Sequence, residues 1–302
     1  MQLRRRSSVW AASLLLIGLH AFASPAAPTV QDDRGRLVSF AQAPDRIISL
    51  LPSLTETVCE LGACDRLVGV DRSSNHPASV ARLPHVGGIE DANVERIVTL
   101  RPDVVLAPSS ARIVARLERL GITVLTFEPK QQSQAKEAYA QLARMLHVTD
   151  ADARWQRIER RLVDVVQAVP TGAKGWRTYI EVAQGPYAAG EASFMGELML
   201  TLGLTNIVPK ALGPFPKLNP EFVVLANPDF IVVTATTLDA LRERPGWRQI
   251  LAIQLGRVCV LRGAEADAFS RPGPRLADAA QAIVACLTTT LNGTAARSAP
   301  TR

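Results

Sequence analysis

After residue 23, no stretch of this 302-residue chain reaches the ~18 apolar residues that a membrane-spanning helix needs. The usual catalytic signatures are missing too. There is no G-x-S-x-G, H-E-x-x-H, G-x-x-x-x-G-K or G-x-G-x-x-G. Histidine is scarce: beyond the leader only His76, His85 and His147 occur, too scattered for a metal cluster or a triad. The four cysteines show no C-x-x-C spacing, which argues against a zinc site. Neither sign of charge dominates. Without the three arginines of the leader, the 34 basic residues fall to 31 against 28 acidic ones, or +3. That balance does not call for a nucleic-acid partner. These absences move the weight from catalysis towards binding.

A secretory leader is expected over residues 1–23. Arg4-Arg5-Arg6 supplies its charge, residues 9–19 its apolar run, and Ala21-Phe22-Ala23 an A-x-A cleavage signal. The mature product is therefore expected to be soluble and periplasmic, cut near Ala23. No cysteine lies near the cut, so a lipid anchor is not expected, and Arg4-Arg5 fits the twin-arginine route poorly. In an oxidising compartment four cysteines should pair, and three connectivities exist. Pairing Cys59 with Cys64 and Cys259 with Cys286 keeps each bridge local and is the expected arrangement; free buried thiols are the alternative.

One pattern occurs twice. Asn93-Val94-Glu95 and Asn219-Pro220-Glu221 each precede Pro-Asp, at Pro102-Asp103 and Pro228-Asp229, by the same spacing. Each copy reads as an Asn-capped short helix, a proline stop and a buried strand. Glu95 and Glu221 fall in first helical turns near the surface. One such acid is explained by the helix dipole, at about 0.3–1 kcal/mol. A matched pair suggests two similar lobes, each presenting one carboxylate. A second echo agrees: Glu56 precedes Leu61-Gly62 as Glu197 precedes Leu202-Gly203.

Strands and helices alternate in each half, which predicts parallel sheets covered by helices. The expected organisation is an N-terminal α/β lobe over 24–148, a linking helix over 149–171, a C-terminal α/β lobe over 172–291 and a disordered tail over 292–302. Residues 24–43 read as a loose arm or short hairpin, and 262–274 as a loop. Over 150–169, Trp155, Ile158, Leu162, Val165, Val166 and Val169 recur at helical spacing with no glycine or proline between them. This predicts a rigid strut between the lobes, or else an ordinary core helix of one of them.

Two such lobes face each other across a cleft at the carboxyl ends of their strands. The loops expected there, 51–53, 71–76, 87–92, 184–190, 211–218 and 264–273, carry Tyr187, Phe215, Phe269 and Arg271. Aromatic surface with one cation suits a bulky, partly apolar ligand with polar or acidic edges. His76 is an ordinary surface histidine or, less expectedly, a ligand contact.

Taken together, Arg46-Ile47-Ile48-Ser49-Leu50 through Thr55-Glu56, Val68-Gly69-Val70, the Asn93 repeat, Leu100-Arg101-Pro102-Asp103 and the Arg271 to Arg275 segment resemble the periplasmic substrate-binding proteins of ABC importers. The subgroup is the one whose lobes are joined by a single long helix, and the vitamin B12 receptors within it are most similar. The resemblance covers residues 45–290. It implies a class III fold: two three-layer α/β lobes with mainly parallel sheets on one backbone helix. It also implies a non-enzymatic, monomeric receptor without a resident cofactor, with a small-molecule ligand and an inner-membrane permease as partners. Glu95 and Glu221 fall on the family's permease-docking acids. The corrinoid-contacting positions fall on Pro52, Tyr187, Phe215 and Arg271, with Ser73 and Ile89 where the family carries an aromatic and a tryptophan. Leu202 stands where the family has a cysteine opposite the terminal helix, leaving Cys259 as the partner for Cys286. The leading expectation is a cobalamin or related corrinoid receptor. Ferric-siderophore or haem receptors are the first alternative, and a periplasmic enzyme or metal-handling protein the second.

Overall fold

A computed structural model describes residues 27–234 and 238–298; the expected leader and cleavage site lie outside the described residues. Strands β1 (Thr29–Gln31) and β2 (Leu37–Ser39) form an antiparallel hairpin. The first lobe then runs β3 (Ile47–Ser49), α1 (Pro52–Glu60), β4 (Leu67–Val70), α2 (Val94–Thr99), β5 (Val104–Ala107), α3 (Val114–Arg119), β6 (Val124–Thr126) and α4 (Gln132–Met145). Its four strands are all parallel, in the order β4-β3-β5-β6. Covered on both faces, they are apolar almost throughout.

Helix α5 (Ala151–Gln167) follows, and then the second lobe: β7 (Arg177–Ala183), β8 (Tyr187–Ala188), α6 (Phe194–Thr201), β9 (Thr205–Asn206), α7 (Pro220–Ala226), β10 (Phe230–Val233), α8 (Leu238–Arg242), α9 (Leu251–Leu255), β11 (Val258–Val260), α10 (Gly263–Ser270) and α11 (Leu276–Ser298). Its sheet has the order β11-β10-β7-β8 with β9 on the far part of β7, and only β8 runs antiparallel.

The strut is slightly shorter than its sequence pattern suggests. Its 17 residues reach about 25 Å at 1.5 Å per residue. Trp155 and Ile158 enter the core of the first lobe, while Leu162 enters that of the second, with Val165 and Val166 packed beside it. One amphipathic helix thus seals both cores, which makes it a brace rather than a linker.

Both repeat copies fold alike. Asn93 Oδ1 accepts from Arg96 N at 2.9 Å, and Asn219 Oδ1 from Glu221 N at 3.0 Å. Arg101 and Asn227, each just before the proline, turn left-handed at φ 46° and 44° and end the helices. The aspartates anchor the next strand. Asp103 Oδ2 accepts from Asp45 N and Arg46 N at 3.0 and 2.8 Å, and Asp229 Oδ2 from Arg177 N at 2.9 Å. In each lobe, Pro-Asp thereby ties the repeat strand to the start of the lobe's first strand.

Two expectations need correction. Residues 262–274 are not one loop, because α10 occupies Gly263–Ser270, buries Ala268 and Phe269, and carries an Asp267–Arg271 pair one turn apart. Nor does the tail begin at 292, since α11 continues to Ser298.

Disulfides join Cys59 to Cys64 and Cys259 to Cys286, with sequence separations of 5 and 27. Loop-closure entropy gives the first about 2 kcal/mol and the second about 3.5 kcal/mol. Cys259→Ser/Cys286→Ser is therefore expected to lower the urea midpoint more than Cys59→Ser/Cys64→Ser. An equal or reversed order would refute this ranking.

Candidate functional site

Between the lobes lies a cavity of about 700 Å³, within the usual range for ligand pockets. Most of the wall comes from the carboxyl ends of strands. Leu51, Pro52 and Ser53 follow β3, Asp71 to Ser73 follow β4, Glu128 and Pro129 follow β6, and α10 with its exit, after β11, brings Asp267, Ser270 and Arg271. A further segment, 88–91, closes the side. It leaves Gly87 at φ +103°, where a Cβ would sit 2.6 Å from the Asp91 carbonyl oxygen, so only glycine lets the loop fold back.

Four of the expected ligand residues, Pro52, Ser73, Ile89 and Arg271, line this cavity. Tyr187 and Phe215 do not. Tyr187 is exposed with Lys217 Nζ 5.8 Å over its ring, and Phe215 meets Phe194 edge-on at 6.1 Å. His76 is exposed and outside the lining. Among the described residues there is no cluster of side chains able to hold a metal.

Arg271 differs most from its sequence reading. Its side chain is only 9% exposed and its guanidinium is fully engaged at both terminal nitrogens. Nη1 donates to Glu56 Oε1 at 2.7 Å and Asn75 Oδ1 at 2.8 Å. Nη2 donates to the Ser73 carbonyl at 2.9 Å and pairs with Asp267 Oδ1 at 2.8 Å. Arg275 adds two bonds to Glu56, at 2.9 and 2.8 Å, and Asn75 donates to Asp267 at 2.8 Å. Both arginines belong to the second lobe and Glu56 to the first, so this network fastens the lobes beneath the cavity.

The echo of Glu56 does the reciprocal task. Glu197 of α6 accepts from Gln132 N, at the start of α4, at 2.7 Å. Phe194 N donates to the Lys130 carbonyl at 2.7 Å beside it. Each lobe's first helix therefore sends one glutamate into the other lobe.

The lining holds acids that the sequence reading passed over. Asp71 is buried, and that burial raises its pKa although Ser74 Oγ and Ser73 N donate to it. Burial works against the charge of Glu128 as well, but bonds from Ser109 Oγ and Ser110 N outweigh it and lower its pKa. The strand-end position of 128–129 was the available signal.

Glu95 and Glu221 are exposed, on α2 and α7. Asn93 N donates to the Val86 carbonyl, beside the end of β4; Leu218 N donates to that of Pro186, beyond the end of β7. Both helices thus begin at the carboxyl edge of their sheet, the edge from which the cavity is built.

A family model described as periplasmic binding protein matches residues 47–264. The chain belongs to that family. Its members are substrate-binding transport proteins, not enzymes, so a small-molecule ligand and a permease partner follow. An uncharacterised ABC transporter substrate-binding lipoprotein, YvrC of Bacillus subtilis, is 29% identical over 93% of this chain and 96% of its own length. The vitamin B12-binding protein of Yersinia pestis is 29% identical over 80% of this chain and 86% of its own. Among solved structures, the periplasmic haem-binding protein BhuT has a TM-score of 0.70 at 27% identity, covering 82% of this chain and 98% of that one. The vitamin B12-binding protein BtuF of Vibrio cholerae has 0.67 at 24%, with coverage of 82% and 98%, and shares the fold. No helix among the described residues is long and apolar enough to cross a membrane.

Proposed function

We propose that this periplasmic receptor captures cobalamin or a related corrinoid in the inter-lobe cavity and passes it to an ABC permease. The observation that carries the reading is the cavity itself, formed by both lobes and lined by Pro52, Ser73, Ile89 and Arg271. The vitamin B12-binding relative supports the choice of ligand. Export through the leader and cleavage near Ala23 complete the route. Arg271 acts here as a wall-builder that fixes Asp267 and the 73–75 loop, and not as a free cation. Tyr187 and Phe215 lie away from the cavity and join the ligand only if the lobes adjust. Docking belongs to Glu95 and Glu221, one per lobe, where exposed acids set the register on a two-fold partner.

Calorimetric titration with cyanocobalamin is expected to give a single site with a Kd of about 1 µM or tighter, near −8 kcal/mol. Flat titrations with several corrinoids would reject the ligand. A haem or ferric-siderophore ligand is the second reading, supported by the likeness to BhuT; competition between the two ligand classes in one titration separates them.

A further inference from the structure

We propose that the cleft selects ligands presenting positive charge to it and turns away those whose buried face carries carboxylates. The inference rests on the cavity being the ligand site. Its lining has five acids, Asp71, Glu90, Asp91, Glu128 and Asp267, against two cations, Arg72 and Arg271. Both cations are already engaged. Arg72 is ion-paired with Asp91, and Arg271 is held by Glu56, Asp267 and Asn75. Glu56 is offset in turn by Arg275. Setting the buried Asp71 aside, Asp91 and Asp267 are the acids paired with those arginines, which leaves Glu90 and Glu128 with no cation of the lining beside them. Glu128, in the lining, is held by Ser109 Oγ and Ser110 N, both on Oε2, and by no cation of the lining. Lys130 acts on Glu128 electrostatically but is exposed and outside the lining.

An anionic ligand entering here meets more carboxylates than cations, and the guanidiniums that could repay its lost hydration are already paired, Arg72 with Asp91 and Arg271 with Glu56 and Asp267. A cationic ligand meets the opposite field. Without the leader the formal charge is +3, so the overall field repels a cation, and any preference for one must arise in the cleft.

Two porphyrins of equal ring size and opposite charge provide the test: tetrakis(N-methylpyridinium)porphyrin and tetrakis(sulfonatophenyl)porphyrin, titrated by absorbance against the intact exported protein. The cation is expected to bind at least about tenfold tighter at low salt, with the advantage shrinking as salt rises. Glu90→Gln/Glu128→Gln is expected to narrow the gap. Equal affinities, a preference for the anion, binding of neither, or a gap unmoved by the double variant would overturn the proposal. Cyanocobalamin, uncharged overall, is titrated in parallel; its failure alone removes the corrinoid reading and leaves the charge preference standing.

Discussion

Glu56→Gln is expected to destabilise the protein by about 3–5 kcal/mol. Glu56 is 2% exposed at its side chain and accepts three charged N–H bonds from Arg271 and Arg275, each 9% exposed. A buried ion pair adds modestly at best when compared with an apolar replacement, because desolvation offsets attraction. Removing one partner is different, since the other charges stay buried without compensation. Here one carboxylate serves two guanidiniums, and Gln offers a single acceptor and an amide that opposes them. Because the network also joins the lobes, urea unfolding of the variant is expected to broaden or split into two transitions. A shift below about 1 kcal/mol with one sharp transition would show that the network is not what fastens the lobes. The reciprocal Glu197→Gln should cost less, because its contact is a single backbone N–H and the side chain is only partly buried.

Reversing both docking acids, Glu95→Lys/Glu221→Lys, is expected to abolish ligand uptake in cells while leaving ligand affinity in solution unchanged. Both side chains are exposed and outside the cavity lining, so neither reversal alters the binding walls. Each sits in the first turn of a short helix capped by its own asparagine, so the backbone should tolerate lysine at the loss of a small dipole term, about 0.3–1 kcal/mol. Single reversals should slow uptake by reducing productive encounters, and the pair should stop it by opposing both contact points at once. Normal uptake by the double variant would remove the docking role. Lost affinity in solution would mean that the acids act on the cleft instead.

Much of this architecture could be read directly from the residues. Alternation of apolar strands with capped helices implies parallel sheets, and the doubled Asn-x-Glu…Pro-Asp pattern implies two related lobes. The unbroken helical spacing of Trp155, Ile158 and Leu162 implies a brace. What escaped were features fixed by partners far along the chain. The pattern showed Asp103 and Asp229 plainly, but not that they clasp backbone amides more than fifty residues earlier. Helix α10 opens on Gly263, alternates alanines with Glu265 and Asp267 and has no clear apolar stripe; tertiary burial of Ala268 and Phe269 holds it. Arg271 looked like a ligand cation because its lobe offers little to bind it, while its acceptors Glu56, Ser73 and Asn75 lie some two hundred positions away. The charge of the cavity was hidden for the same reason, its acids being spread over separate segments of the chain.

Hydrogen exchange with and without bound corrinoid tests the central claim, a ligand held jointly by both lobes. Protection is expected at 51–53, 71–73, 88–91 and 128–129 in the first lobe and at 267–272 in the second, with α5 unchanged. Protection confined to one lobe, or lying away from these segments, would contradict it.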